Sequence, residues 1–430
     1  QLTAANKFSN TTMMLLVVLL FQLITSSVVT SWKDNDCPCE NPEWCKPISI
    51  PLYTRKEVYA FTLQEDSWQY FDWDVITTVA HSFETSSSFW KSNVCLAHSH
   101  NARVVFTTVM PEALLQANTT FDLQNEWVQN QADHVEALGG DGINVDYENE
   151  IHADETTKRQ QLTVVTQLLQ IELKKRNPFS SLVWDLGWKP NVDERYYDYK
   201  RISDICDYVF VMIYDTQSQI ESGPPCLAGP NSPLSAVQKS LDWYSSSSSP
   251  SSDLNLPYEK LILGLPWYGY YYNCTSYDPL TEECVIPTVP FRGVECSDAA
   301  GSQLDYPITM KQLRAANIQP IFDLKTLSMK AFATKTTLTA TAASLSSSSS
   351  SSISISGGNK TVAYYFDSPE SVKAKVSVAW NLTTGRIGGV GMWNADVPNY
   401  TDPNEGQSFW NSMILPPANK QTEMTIDQVE

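Results

Sequence analysis

The sequence DGINVDYE at residues 141–148 decides the fold and points to the chemistry of this chain. Successive side chains of a β-strand point to opposite faces. One face of this stretch therefore carries the polar set Asn144, Asp146 and Glu148. The apolar residues between them suit a covering layer of helices, which leaves the acids facing an enclosed centre. Carboxylates grouped in such a place have shifted proton affinities, and this is typical of catalytic sites.

Two other interpretations of this stretch are an exposed edge strand with a solvated acidic face and a calcium-binding loop. The spacing of the Asp and Asn residues and the position of Gly142 do not fit an EF-hand loop. A strand that carries a catalytic acid is therefore the favoured hypothesis.

The composition narrows the function before any other motif is considered. A chain of 430 residues allows two average domains or one large α/β domain with insertions, and its 42% hydrophobic content suffices for a sizeable core. The formal net charge of -19 argues against the basic surface that nucleic-acid binding requires. It suits a neutral or carbohydrate ligand and an acidic compartment. The 13 Trp and 20 Tyr can stack on sugar rings, although such residues also fill cores.

An apolar run, MMLLVVLLFQLI, begins at Met13 and is followed by small residues. It is too short to span a bilayer comfortably and lies near the N-terminus, so it predicts a secretory signal within residues 1–31. Nothing later in the sequence resembles a membrane span. We therefore expect no membrane contact once the signal has been removed.

Nine cysteines follow the predicted signal, and in a secreted chain they indicate disulfides. Because the number is odd, at least one thiol is free or pairs between chains. For Cys37, Cys39 and Cys45 a stapled N-terminus is favoured over a metal site, since no His spacing accompanies them. Sequons that fit an extracellular or lysosomal glycoprotein occur at Asn118, Asn273, Asn359, Asn381 and Asn399.

Short apolar runs rich in Val, Ile, Tyr and Phe recur between helix-like stretches such as 123–138 and 155–175. Eight strands that alternate with helices predict an α/β fold whose parallel sheet closes as a (β/α)8 TIM barrel. An open doubly wound sheet is disfavoured, because no Gly-rich phosphate loop follows the first strand. The predicted strands are 57–63, 77–83, 103–109, 142–148, 182–188, 208–215, 261–268 and 387–393.

The barrel is predicted to occupy residues 32–415, with an insertion after the seventh strand at about 272–361. This insertion holds three cysteines and has no clear helical period, and we expect a small subdomain that walls one side of the barrel mouth. Serine tracts at 245–249 and 346–352 cannot bury apolar surface and are predicted to be surface loops. Residues 416–430 are predicted to be a C-terminal tail.

Polar and aromatic residues stand at the carboxyl ends of several predicted strands, where a barrel of this kind has its active site. Each of them alone also fits barrel packing or a loop cap. Their coincidence at one end of separate strands indicates a site. They are Glu148, Trp188, Tyr214, Asp215, Trp267 and Trp393.

At these positions the sequence resembles the family 18 glycoside hydrolases, the chitinase-like enzymes. DGINVDYE is similar to the family signature DGxDxDxE. FVMIYD at 210–215 and GVGMWN at 389–394 are similar to the sixth and eighth strands of the family. The resemblance implies the same TIM barrel as the strand pattern.

Longer strings resemble a lysosomal, exo-acting branch of that family. They are CPCENPEWC at 37–45, FVMIYDTQSQI at 210–220, GLPWYGYYY at 264–272 and VPFRGVECSDAAG at 289–301. With these strings the likeness extends from about Cys37 to Trp410, interrupted by the serine-rich tracts. The resemblance therefore covers most of the chain.

The resemblance implies a retaining mechanism in which the substrate assists. Glu148 would protonate the glycosidic oxygen and later activate water. Asp146 would orient the 2-acetamido group of the sugar, whose oxygen attacks the anomeric carbon to give an oxazolinium intermediate. Tyr214 would donate a hydrogen bond to that group, Asp215 would contribute to the same pocket, and Trp393 would form the floor beneath the sugar.

The sequence departs from the family signature at Asn144, where the family has an acid. Asp146 then lacks the intervening carboxyl that could share a proton with it, and this bears on the expected pH optimum. The predicted substrate-binding residues are Asp141, Asn144, Trp188, Asp215, Trp267 and Trp393. We expect no metal or other cofactor, because no ligand spacing is found among His81, His98, His100, His134 and His152.

The leading hypothesis is a monomeric exo-glycosidase that is lysosomal or secreted. It would cleave the β-1,4 bond in the diacetylchitobiose core of N-glycans and in short chitin oligomers, and would release N-acetylglucosamine from the reducing end. An endo-acting chitinase and a chitin-binding lectin on the same barrel are the alternatives. Such a lectin lacks the acid that Glu148 supplies here. An open groove flanked by exposed Trp would favour endo action, and a blocked pocket would favour exo action.

Overall fold

The eight predicted strands form a closed parallel barrel in the computed structural model, which describes residues 37–82, 89–219, 223–245, 254–334 and 361–416. Around the barrel the strand order is β1-β15-β7-β6-β5-β4-β3-β2, so the prediction of a (β/α)8 TIM barrel is confirmed. The barrel strands are β1 (Glu57–Phe61), β2 (Thr78–Ser82), β3 (Arg103–Thr108), β4 (Gly142–Val145), β5 (Ser181–Gly187), β6 (Tyr208–Met212), β7 (Leu261–Pro266) and, after the insertion, β15 (Gly389–Trp393).

Most barrel strands end short of their predicted limits, and the difference matters most in β4. The pairing of β4 with β5 ends at Val145, opposite Trp184. The N–H of Asp146 still donates to the carbonyl of Thr108 on β3, at 2.9 Å. Asp146 therefore directly follows the strand, while Glu148 lies in the loop and not in the strand as predicted.

Helices follow most strands and cover the outside of the barrel. The helix from Phe121 to Leu138 begins where the hydroxyl of Thr120 accepts from the N–H of Leu123, and it ends at Gly139, whose φ of 69° is left-handed. The helices are α1 (Phe89–Ser99), α2 (Phe121–Leu138), α3 (Thr156–Arg176), α4 (Tyr199–Ile205), α5 (Leu234–Ser245), α6 (Tyr306–Ala315), α7 (Pro369–Leu382) and α8 (Pro403–Ser412). Short 3-10 helices lie at Pro42–Cys45, Glu65–Tyr70, Glu112–Leu115, Val192–Glu194, Thr216–Gln219, Tyr258–Lys260 and Asp298–Ala300.

The alternation of side chains along the strands separates two apolar layers. In β4 and the residues after it, Ile143, Val145 and Tyr147 are buried in the layer between the strands and the helices, as the sequence pattern predicted. The interior of the barrel is filled instead by a second, mainly aromatic cluster that includes Tyr59, Phe61, Val105, Tyr208, Phe210, Tyr214 and Ile262. Asn144 and Asp146 alternate along the chain with these outward-facing residues, so they lie on the interior side of the barrel.

The insertion after the seventh strand is a small antiparallel subdomain. It begins earlier and ends later than predicted, because β8 directly follows the barrel strand β7 and pairs with β14. It also contains α6, although the sequence showed no helical period there. One sheet has the order β11-β8-β14-β13-β12 and a second is the pair β10-β9. The strands are β8 (Tyr268–Asn273), β9 (Ser276–Asp278), β10 (Glu283–Val285), β11 (Gly301–Asp305), β12 (Ile321–Asp323), β13 (Ser328–Thr334) and β14 (Thr361–Phe366).

Four disulfides account for eight of the nine cysteines. Cys37–Cys45 closes a loop within the N-terminal segment, and Cys39–Cys95 fastens that segment to α1, which agrees with the predicted staple. Of the other two, Cys274–Cys284 lies within the insertion, and Cys226–Cys296 joins the loop after β6 to the insertion. The remaining thiol, Cys206, is buried and free. Burial raises its pKa, so it is an inert thiol rather than a reactive one.

Several sequence predictions fall outside the described residues. They are the signal in residues 1–31, both serine tracts apart from Ser245, the sequon at Asn359 and the tail after Pro416. In the part of the chain that is described, no helix combines the length and the apolar character that a membrane span requires.

Candidate active site

Two acids lie at the carboxyl end of β4 and face the mouth of the barrel. Asp146 is partly buried, and its Oδ1 is enclosed without a hydrogen-bond partner among the described residues. The side chain of Glu148 is 44% exposed, so a ligand can reach it from solvent. A buried acceptor without a donor costs free energy unless something else satisfies it. Asp146 is therefore a candidate for direct contact with a ligand.

Glu148 is held in place by Arg195, which comes from the loop after β5. Nη2 of Arg195 lies 2.9 Å from Oε1 of Glu148, and Nε donates to the backbone carbonyl of Glu148 at 3.1 Å. The side chain of Arg195 is only 8% exposed. Burial lowers the pKa of Arg195, but the charges of Glu148 and Asp193 and the neighbouring tyrosines together outweigh burial, and the pKa is raised. Arg195 is thus a fixed positive charge at the site, and sequence analysis did not predict it.

The insertion contributes a second arginine to the same loop. Nη1 of Arg292 donates to the backbone carbonyl of Glu148 at 2.9 Å, and Nε of Arg292 lies 3.3 Å from a carboxylate oxygen of Glu150. The carbonyl of Glu148 therefore accepts from Arg195 and Arg292 together. These hydrogen bonds hold the backbone of Glu148 in one position.

A third carboxyl lies inside the barrel beside these two. Asp185 on β5 is 2% exposed, and its Oδ1 accepts from Nδ2 of Asn144 at 2.8 Å. Burial raises the pKa of Asp185, and the charges of Asp146 and Glu148 raise it further. The hydrogen bond from Asn144 acts in the opposite direction and is too weak to cancel them. Asp185 was not among the predicted site residues.

The proton affinity of Asp146 depends on the same neighbours. Burial raises its pKa, the charge of Glu148 raises it further, and the charge of Arg195 lowers it. Like charges that are buried together cannot all ionise at neutral pH. Asp146 and Asp185 therefore hold protons at pH values where ordinary carboxyls have lost them.

Two strands along the barrel from β4, Tyr214 and Asp215 follow β6. Tyr214 is buried, its ring belongs to the interior cluster, and burial raises its pKa well above that of a free phenol. The carboxylate of Asp215 accepts from the hydroxyls of Tyr268 and Tyr270 at 2.5 and 3.0 Å. Its backbone is left-handed, with φ of 52°, and its N–H donates to Oδ1 of Asn231 at 2.7 Å.

Trp393 at the end of β15 lies between the barrel and the insertion. Its ring contacts the interior cluster, with Phe61 5.3 Å away between ring centroids, and it also packs on the insertion cluster that contains Tyr268 and Tyr270. The side chain is partly exposed, and the peptide bond to Asn394 is cis. An aromatic face at this place can form one side of a sugar-sized pocket.

A comparison with protein families gives one match that contains these acids. Residues 114–397, more than half of the chain, match the family described as "Glycosyl hydrolases family 18". The chain belongs to glycosyl hydrolase family 18. It is therefore a glycoside hydrolase by membership, and the match contains both acids after β4 as well as Tyr214 and Trp393.

Curated relatives within family 18 cover most of the chain. A protein named di-N-acetylchitobiase from Homo sapiens is 32% identical over 85% of this chain and 84% of its own length. A protein named probable di-N-acetylchitobiase 2 from Dictyostelium discoideum is 30% identical over 88% of this chain and 90% of its own length. In contrast, probable chitinase 2 from Drosophila melanogaster is 26% identical over 34% of this chain.

Solved structures of proteins named as chitinases share the fold at low identity. A mutant of the class V chitinase from Nicotiana tobaccum in complex with NAG4 has a TM-score of 0.58 and 12% identity, and the match covers 84% of this chain and 99% of that chain. The C-terminal domain of a putative chitinase from Desulfitobacterium hafniense has a TM-score of 0.60 and 15% identity, with the same two coverages. At this identity the likeness supports the barrel alone.

Six of the nine predicted site residues come together at the carboxyl end of the barrel, and three do not. Asp141 precedes β4 and is fully buried at the opposite, amino end of the barrel, where it pairs with His98. Trp188 and Trp267 are buried in the outer layer between strands and helices. Trp188 packs on Trp243 and lies under Lys189. The prediction that these three residues bind substrate is wrong on this geometry.

The histidines divide between structural and surface positions. His98 is buried and bonded to Asp141. His152, however, lies with Glu150 and Glu194 so that one ligand atom of each falls within 4.8 Å of the others. This grouping was not foreseen from the sequence spacing. Its members are partly or fully exposed, and Nδ1 of His152 lies 3.3 Å from Oε2 of Glu194.

Proposed function

We propose that this family 18 enzyme is an exo-acting glycosidase that cleaves β-1,4 bonds between N-acetylglucosamine units and releases the sugar at the reducing end. The observation that carries the proposal is the pair Asp146 and Glu148 at the carboxyl end of β4. One of them is enclosed with an unsatisfied oxygen, and the other is exposed and held by Arg195. These are two unequal environments, which fit two unequal roles.

In the proposed reaction Glu148 is the general acid and base. It protonates the glycosidic oxygen as the bond to the leaving sugar breaks, and it later takes a proton from the water that attacks the anomeric carbon. The bonds of Arg195 and Arg292 to this residue support the assignment, because they hold both its backbone and its carboxylate in one orientation.

In this proposal Asp146 lies beside the 2-acetamido group of the substrate, whose oxygen is the nucleophile. The acetamido oxygen of the sugar attacks the anomeric carbon, and the resulting oxazolinium carries a positive charge and an N–H. The Oδ1 of Asp146, which lacks a partner among the described residues, is available to accept that N–H and to balance the charge. Tyr214, which follows β6, would donate its hydroxyl to the acetamido oxygen, and Trp393 would lie beneath the sugar ring.

Exo action at the reducing end is supported by the extent of the likeness to particular relatives. The proteins named di-N-acetylchitobiase align over 84% or more of their length and over 85% or more of this chain in Homo sapiens, Mus musculus and Rattus norvegicus. The insertion supports the same choice, since it brings Arg292 to Glu148 and places Tyr268 and Tyr270 beside Asp215. An endo-acting chitinase remains the second candidate function, favoured by the shared barrel.

A lysosomal or secreted location is part of the same proposal. Disulfides persist in oxidising compartments, and four are formed here. The sequons at Asn118, Asn273, Asn381 and Asn399 lie in described parts of the chain, and the excess of acidic residues suits an acidic compartment. The substrate would then be N-glycan cores or short chitin oligomers, with the protein acting as a monomer.

Digestion of chitotriose and chitotetraose labelled at the reducing end tests this function at acidic pH. The proposal expects single labelled N-acetylglucosamine as the first product from both oligomers. Cleavage at internal bonds of chitotetraose, with labelled chitobiose as the first product, would identify an endo-acting chitinase instead. Binding without cleavage would identify a lectin and contradict the proposal.

A further inference from the structure

The family signature has an acid at the position of Asn144. In this chain the neighbouring strand β5 brings a carboxyl, that of Asp185, next to Asn144. Asn144 pairs with Val183 and Val145 pairs with Trp184 in the parallel ladder of β4 and β5. Continuing that ladder places Asp185 beside Asp146, on the interior side of the neighbouring strand. The amide of Asn144 donates to Asp185 at 2.8 Å and so holds the acid at this position.

The charged and titratable groups around Asp185 come from four elements, and most of them are acids or neutral phenols. Asp146 and Glu148 follow β4, Tyr59 lies on β1 and Tyr214 follows β6. A cation beside this group is Arg195, which is bonded to Glu148 and lowers the pKa of Asp146. The interior of the barrel thus holds two carboxyls side by side, and neither forms a salt bridge with a cation of the described residues, since Arg195 is bonded to Glu148.

We propose that Asp185 is a positioning residue for the reaction: it replaces, from the neighbouring strand, the acid missing at Asn144, and it forms with Asp146 a carboxyl pair that carries one proton. This inference rests on the proposed function, because its role is exerted through Asp146 on the acetamido group of the substrate. It assigns to Asp185 a task that no match to the sequence motif would suggest.

The physical reason is the cost of two buried like charges. A pair of neighbouring carboxyls loses its protons in two separate steps, and between these steps it carries a single charge. In that state one member is an anion and the other is a neutral acid. With Asp185 as the neutral member, Asp146 is free to be the anion beside the oxazolinium. Because the first proton can come from either carboxyl, the pair also reaches this state at a lower pH than a lone buried Asp146.

The substitution Asp185→Asn keeps the shape of the side chain and removes its ionisation. We expect kcat at acidic pH to fall about tenfold, and the acidic limb of the kcat profile to move up by about one pH unit, since each pH unit corresponds to a tenfold change in the ionised fraction. The double variant Asn144→Asp with Asp185→Asn returns a carboxyl to the pair from β4. We expect it to restore most of the activity and the original limb.

A structural role alone predicts a different pattern. Asp185→Asn would then lower activity by the same factor at every pH, and the double variant would not recover it. An unchanged profile in Asp185→Asn, or a failure of the double variant to move the limb back while it remains folded, overturns the proposal.

Thermal unfolding gives a second measurement that does not depend on turnover. The pKa of Asp185 is raised in the folded protein, so its contribution to stability is fully present below the unfolded pKa of about 4 and is lost as the pH rises toward the folded value. We expect the decline of Tm between pH 5 and 8 to be shallower in Asp185→Asn than in the wild type, and steeper again in the double variant. Equal slopes in all three proteins overturn the proposal.

The two measurements separate this inference from the proposed function. If the wild-type protein does not cleave the labelled oligomers, the proposed function fails, while the slopes of Tm still decide whether Asp185 holds a raised proton affinity. If the wild type cleaves them and the limb does not move in Asp185→Asn, the function stands and the role of Asp185 fails.

Discussion

The two ends of the barrel use buried acids in opposite ways. At the amino end, Asp141 accepts from the N–H groups of Ile48 and Val104 at 2.6 and 2.7 Å and lies 2.8 Å from Nε2 of His98. Glu57 at the same end pairs with Arg103 and accepts from the hydroxyl of Thr78 at 2.8 Å. These carboxylates are satisfied by the protein itself.

At the carboxyl end the acids are crowded and share few donors. Asp146 and Asp185 are close neighbours, Asp146 has an oxygen without a partner among the described residues, and the nearby cation Arg195 is bonded to Glu148. One strand, β4, thus has a satisfied acid before it and an unsatisfied acid after it. A satisfied acid stabilises the fold, whereas an unsatisfied acid costs stability and is explained by a ligand.

The largest effect should come from the exposed acid at the carboxyl end. We expect Glu148→Gln to lower kcat on labelled chitotriose by roughly 100- to 10,000-fold, because an amide cannot give or take the proton. Tm should stay close to that of the wild type, since the side chain is 44% exposed. Near-normal turnover by this variant would remove Glu148 from its proposed role.

The largest loss of stability should come from the amino end. Asp141→Asn leaves His98 buried without its partner, and we expect a loss of about 3 kcal/mol in the free energy of unfolding. Denaturant unfolding measures this value. Values of kcat and KM, taken where the variant is folded, should match the wild type. A large change in KM with unchanged stability would return Asp141 to the substrate site.

The same pair gives the amino end a pH dependence of stability. Burial lowers the pKa of His98, but the charge and hydrogen bond of Asp141, together with hydrogen bonds to backbone groups of Trp44 and Lys46, outweigh burial, so the pKa is raised. The stabilising contribution of the pair is therefore full below about pH 6.5, the ordinary pKa of His, and is lost as the pH rises through the folded value. We expect part of the decline of unfolding free energy above pH 6.5 to disappear in His98→Gln. An unchanged decline would show that His98 does not ionise with Asp141.

At the carboxyl end, the cation should set the pH dependence of activity. The charge of Arg195 lowers the pKa of Asp146. We expect Arg195→Gln to raise the pKa of Asp146 and so to move the acidic limb of kcat to higher pH. The variant should also lower kcat, because the contacts of Arg195 with the carboxylate and the carbonyl of Glu148 are lost. The matched control is Arg176→Gln, which removes a helix ion-pair cluster far from the site and should leave the profile unchanged.

The smallest effect on catalysis should come from the tryptophans of the outer layer. Trp267 is fully buried and packs against Phe409 and Trp410. We expect Trp267→Phe to cost about 1 to 3 kcal/mol in unfolding free energy and to change KM by less than about twofold. The paired substitution Trp393→Phe should raise KM instead, and equal KM values in the two variants would contradict the assignment of Trp393 to the pocket.

The sequence predicted the barrel and its strands because alternation and length are local signals. Alternation also placed Ile143 and Val145 outside and Asn144 and Asp146 inside. The same rule, applied to β5, would have placed Asp185 inside with Val183 and Trp188 outside with Trp184 and Leu186. Applied to β7, it places Trp267 outside with Leu263 and Leu265. The positions of Asp185, Trp188 and Trp267 could therefore have been predicted from the sequence by the same rule.

Other features could not be read from the sequence. Asp141 belongs to the motif, but it precedes β4 and falls in the alternation with Ile143 and Val145, which face the helices. Its partner His98 lies on α1, so the pair is known only once α1 has been placed. Arg195 and Arg292 come from loops 47 and 144 residues away from Glu148, and neither loop has a pattern that fixes where its side chains point. The contacts between distant loops depend on the whole fold, and local patterns carry no signal of them.

The most direct test compares the two aspartates at the ends of β4 in one pair of measurements. Asp146→Asn and Asp141→Asn are purified alongside the wild type, and for each protein kcat on labelled chitotriose and the free energy of unfolding are measured. We predict that Asp146→Asn loses most of kcat and keeps or gains stability, while Asp141→Asn keeps kcat and loses about 3 kcal/mol. Loss of stability without loss of kcat in Asp146→Asn, or the reverse in Asp141→Asn, would contradict the division of the barrel into a catalytic and a structural end.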